Sequence, residues 1–109
     1  MREIKTPKPG MSYLYYDSSR SDFSDAFLCV SQEEAHKMSP KSDFPNDKNT
    51  MFYGVSFAMH KNNWLNLSIG TPWRCSKIGK DRIFKLTEEE ITLIKLGGVE
   101  NVEYPNKRS

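Results

Sequence analysis

The run Arg82 to Gly98, RIFKLTEEEITLIKLGG, constrains the fold more than any other stretch, because its local signals agree on one order of strand, capped helix and stop. Arg82 to Leu86 reads as an extended segment. Thr87 then stands as N-cap with Glu90 at the third helical position, a capping box that satisfies backbone N–H groups from both sides. Glu88, Glu89 and Glu90 put negative charge at the positive end of the helix dipole, and Lys95 falls in the last turn. Ile91, Leu93, Ile94 and Leu96 make a broad apolar stripe that has to be buried against another element. Gly97 or Gly98 supplies the left-handed stop.

The same grammar recurs earlier in the chain. Ala26 to Val30 is apolar on both faces, which predicts a central strand, and SQEE follows it with Ser31 as N-cap and Glu34 at the third position. Val30 can staple onto Ala35, and the helix has to end before Ser39 and Pro40. Tyr13 to Tyr16 is a further candidate strand. Met51 to Met59 and Trp64 to Ile69 read as a hairpin. A three-residue loop, Lys61 to Asn63, would pair Met59 with Leu65, Phe57 with Leu67 and Val55 with Ile69, keeping the large side chains on one face. Asn63 would then take the left-handed position. The other face, with Gly54, Ser56, Ala58, His60 and Trp64, is expected to be solvated or covered by a partner, and Val99 to Tyr104 to return as an edge strand.

These elements define an α+β domain: a mostly antiparallel sheet of five or six strands with two short helices, at about 31–38 and 87–96. The expected organisation is an extended lead-in at 1–10, one domain at 11–104 and a polar tail at 105–109. A chain of 109 residues suits one domain, and 12% aromatic residues argue against disorder although 28% are charged. No apolar run approaches the roughly 20 residues a membrane span needs, and MREIKTPKPG lacks the apolar core of a secretory signal. A cytoplasmic protein is expected, with Cys29 and Cys75 as thiols.

The motifs exclude more chemistry than they offer. Cys29, His36, His60 and Cys75 are scattered singly, without the spacing of a metal site. Asp17 to Leu28 begins like a calcium loop, but Asp22 stands where glycine is needed and Leu28 where a bidentate carboxylate is needed. No nucleophile elbow, phosphate-binding glycine loop or dinucleotide fingerprint is present. The expectation is therefore a protein with no catalytic residues, metal or cofactor.

Two partner classes compete for what remains. Arg74, Lys77, Lys80, Arg82 and Lys85 crowd residues 74–85, with Trp73 beside them and Trp64 upstream, a pattern that suits single-stranded nucleic acid. The formal net charge of +2 is small for a nucleic-acid binder. Tyr, Trp, Met and Arg are also the types enriched in protein interfaces. The first expectation is stoichiometric binding to another protein, as an adaptor or inhibitor, of the kind common among phage and mobile-element accessory proteins. Nucleic-acid binding is the alternative. The candidate contact residues under either reading are His60, Trp64, Trp73, Arg74, Lys77, Lys80 and Arg82.

Overall fold

The computed structural model describes residues 1–20, 24–40, 49–63 and 68–103. Its elements are β1 (Arg2–Ile4), β2 (Ser12–Tyr16), β3 (Asp25–Val30), α1 (Gln32–Met38), β4 (Phe52–Met59), β5 (Pro72–Cys75), β6 (Arg82–Lys85) and α2 (Glu88–Gly97), with a 3-10 turn at Val99–Asn101. The strands form one six-stranded sheet in the order β1-β6-β2-β3-β4-β5. All neighbouring pairs are antiparallel. The α+β class and both helices therefore stand as the sequence implies.

Both capping boxes close. Ser31 Oγ accepts from Glu34 N at 3.1 Å while Ser31 N donates to Glu34 Oε1 at 3.0 Å. Thr87 and Glu90 repeat the exchange at 3.1 and 2.9 Å. Both helices lie on one face of the sheet. There Ile94 of α2 packs with Leu14, Tyr16, Ala26 and Phe84, and Ala35 of α1 packs with Val30, Tyr53 and Val55. Among the described residues the opposite face carries no helix: its core is Tyr13, Phe27, Cys29, Phe52 and Ile83, with Trp73 packed against them.

Several connections differ from the sequence expectation. Residues 1–10 do more than lead in, because β1 pairs with β6 and its Glu3 is ion-paired to Arg82 at 2.9 Å. Val99 to Val102 does not return as a strand. Gly98, at φ +88°, turns the chain so that Val99 and Val102 drop into the core beside α2, and Asn101 Nδ2 donates to Leu93 O at 2.8 Å. Tyr104 lies outside the described residues.

The partner of β4 is also different. Trp64 to Leu67 lie outside the described residues, Ile69 sits in a turn, and Val55 stands opposite Pro72 rather than Ile69. Asn63 does not take a left-handed φ, since among the described residues only glycines do. A shift of register between Ala26 and Phe27 then breaks the alternation along β4. Phe57 and Ala58 pack on the helix side, whereas Ser56 and Met59 line a pocket on the other.

The reason for this register is a fit between a small residue and a large one. Gly54 stands opposite Trp73, and a Cβ on it would lie 2.7 Å from Trp73 Cζ2 and 2.8 Å from Phe27 Cδ2. The face expected to be solvated is therefore closed over Gly54 and Ser56 by the indole. Gly54→Ala is expected to lower stability by about 1–3 kcal/mol through overpacking, read as the urea midpoint. Adding Trp73→Phe should restore part of the loss. An unchanged midpoint in the single variant would show that the indole does not rest on this glycine.

Candidate binding site on the helix-free face of the sheet

A pocket of about 530 Å³ opens on the helix-free face, where β3, β4 and β5 meet the end of β2. Its floor is Asp25 and Ser56. Asp25 is the first residue of β3 and stands opposite Met59, while Ser56 stands opposite Phe27. Trp73 reaches the same point from β5. Its Nε1–H donates to Ser56 Oγ at 2.9 Å, and Ser56 Oγ–H in turn donates to Asp25 Oδ2. An indole nitrogen can only donate, so the serine accepts from Trp73 and its own proton points to the carboxylate. This short relay fixes both groups.

Burial dominates the electrostatics of Asp25. Loss of water disfavours its charged form, the Ser56 hydrogen bond opposes that only in part, and the carboxyl rises to about 7.

The walls are aromatic and sulfur-bearing. The Tyr15 ring lies edge-on to Trp73, with centroids 6.5 Å apart, and Met59 also lines the pocket. Trp73 is further held by Phe27 and Phe52, at centroid distances of 5.0 and 5.7 Å. The Tyr15 hydroxyl donates to Asp81 Oδ2 at 2.6 Å, and Asp81 Oδ1 accepts from Ser18 N at 3.0 Å. The turn after β2 is thereby tied to the turn before β6. Burial, and then the neighbouring Asp81 carboxylate, push the Tyr15 phenol up, which keeps it a proton donor.

Asp17, also at the pocket, accepts from Ser19 N at 2.9 Å and Ser19 Oγ at 2.6 Å. Partial burial works to raise its carboxyl, but the hydrogen bonds from Ser19 and Arg20 outweigh that and hold it below the usual range. The start of the segment compared with a calcium loop, Asp17 to Arg20, is thus a turn closed on its own aspartate.

The structure gathers three of the sequence candidates at this pocket, Trp73 in the wall with the exposed Arg74 and Lys77 also lining it, although Arg74 stands opposite Tyr53 in the register and its side chain starts from the helix-bearing face. Lys80 is exposed in the next turn. Arg82 lies on the other face, its Nε and Nη2 bonded to Glu3 at 3.1 and 2.9 Å and its guanidinium 4.9 Å over Phe84. His60 follows β4, donating its backbone N–H to Ser24 O at 3.0 Å and accepting from Asn62 N through Nδ1 at 3.1 Å. Trp64 lies outside the described residues. Cys75 reaches the pocket as a free thiol, and Cys29 is buried, its thiol pushed up to about 11 by burial and then by Glu34.

Sequence reasoning missed Asp25, Ser56 and Tyr15. One signal was present for Ser56: with Gly54 it makes a gap in a strand of large residues, and glycine inside a strand often marks a close approach. Among the described residues no group of three or more His, Cys, Asp or Glu side chains could hold a metal ion, and no helix is long and apolar enough to cross a membrane. No protein-family model matches the chain, and no curated protein or solved structure matches it.

Proposed function

We propose that the protein is a non-enzymatic, cytoplasmic binding protein that holds another protein stoichiometrically, as an adaptor or inhibitor does, with the helix-free face as its contact surface. The observation that carries this reading is the position of the pocket beside β5. That strand ends the sheet, and among the described residues no strand pairs with its outer edge. An open sheet edge offers main-chain hydrogen bonds to an extended segment, and a side-chain pocket alongside selects which segment is held. Tyr15, Met59, Trp73 and Arg74 are of the types that concentrate binding energy in interface centres.

The test compares wild type with Arg74→Glu/Lys77→Glu, both exposed positions where the fold should be unaffected. Affinity capture from the native host should retain one protein in stoichiometric amount on wild type, and the double variant should retain at least about tenfold less at an unchanged urea midpoint. Equal retention by the two would remove this surface as the contact. A second reading, single-stranded nucleic acid, draws on the exposure of Arg74, Lys77 and Lys80. It requires that the captured species be nucleic acid and that binding weaken steeply with salt.

A further inference from the structure

The carboxyl at the floor of the pocket is the feature that the reading above does not yet use. Asp25 sits at the base of a recess with aromatic walls, and among the described residues the one hydrogen-bond partner of its carboxyl is Ser56. No lysine, arginine or histidine of the described chain is ion-paired to it. A recessed carboxylate with one neutral donor lacks the cation that would offset its lost hydration. The walls suit what would bring one. Tyr15 and Trp73 present ring surface and Met59 a flexible apolar side chain, and such surfaces pack the methylene stem of a long cationic side chain and attract its charged end.

From this arrangement we propose that the pocket receives one lysine or arginine side chain of a partner protein, its ammonium or guanidinium group seated on Asp25 and its stem between Tyr15, Trp73 and Met59. The proposal rests on the protein-binding reading and names the chemistry that the partner must carry. The rim adds a second requirement. Lys77 is exposed at the pocket, so an acidic residue beside the inserted cation is favoured and a uniformly basic segment is disfavoured.

The test uses the whole chain, labelled with nitrogen-15, and small probes with one charged end: n-butylammonium, n-butylguanidinium and, as the anionic counterpart, butyrate. At about pH 8, where Asp25 is ionised, either cation should shift the Trp73 indole Nε1–H resonance saturably, with the backbone amides of Ser56 and Met59 moving in step, at millimolar concentrations typical of so small a ligand. Butyrate should leave these resonances in place. Asp25→Asn keeps the shape of the floor and removes the charge, and it should weaken the response at least about tenfold. The proposal is overturned if neither cation gives a saturable shift, if butyrate does as well, or if Asp25→Asn responds like wild type. The protein-binding reading fails separately, on the capture experiment. A partner held equally by wild type and Asp25→Asn, yet lost with Arg74→Glu/Lys77→Glu, would overturn the cation seat and leave that reading intact.

Discussion

Phe27→Ala is expected to remove about 3–5 kcal/mol of stability, the range for deleting a fully buried phenylalanine ring. The upper half of that range applies here. Phe27 is fully buried at the centre of the helix-free face, stacked on Phe52 with centroids 5.5 Å apart and in contact with Trp73 at 5.0 Å and Tyr13 at 5.7 Å. Aromatic pairs of this kind add roughly 0.5–1.5 kcal/mol each beyond the area they bury. A domain of this size has only about 5–15 kcal/mol in total, so the variant should be partly unfolded near 37 °C. The measurement is urea unfolding followed by far-ultraviolet circular dichroism. Phe27→Leu, which keeps most of the volume, should cost less than half as much. A cost below about 1.5 kcal/mol for the alanine variant would mean that this face is loosely packed and that its pocket has no rigid wall.

The contrast between the two faces also explains what was legible in the chain. The helices were legible because their signals are local: Ser31 with Glu34 and Thr87 with Glu90 lie three residues apart, and the interactions they specify form wherever the segment sits. Strand pairing is a long-range property. The match of β4 to β5 is decided by Gly54 receiving the Trp73 indole, and nothing within residues 52–59 announces which segment carries the tryptophan. The register shift at Ala26 and Phe27 is equally silent in sequence, yet it puts Met59 at the pocket and Phe57 in the other core. The basic rim was visible, because a run of Arg and Lys is a matter of composition. The floor was hidden, because one aspartate at a strand start and one serine within a strand look like an exposed end and a solvated face. Only the crossing of β3, β4 and β5 turns them into a joined pair.

The second large effect concerns pH, and it comes from Asp25. Its carboxyl sits near 7 in the folded protein against an ordinary value of 3.8, because burial disfavours the charge more than the Ser56 hydrogen bond supports it. Below about pH 4 the group is protonated whether the chain is folded or not, and it adds nothing to the balance. Between about pH 4 and 7 the unfolded chain has released a proton that the folded chain still holds, so each rise in pH favours unfolding. Above about 7 both states are ionised and the loss levels off at no more than about 4 kcal/mol, less to the extent that water enters the pocket. Glu3, Asp17 and Glu90 act in the opposite sense, since each is held below its ordinary value and its contribution fades only as the solution turns acid. Wild-type stability should therefore peak at about pH 5 and fall toward about pH 8, whereas Asp25→Asn should show no such fall and should be the more stable protein at about pH 8. Urea midpoints across that range decide it, and a wild-type midpoint that is flat or rising between about pH 5 and 8 would contradict the placement of Asp25. The same series bears on binding. A cation seated on Asp25 compensates the buried charge, so n-butylammonium should raise the wild-type midpoint at about pH 8 and leave that of Asp25→Asn where it was.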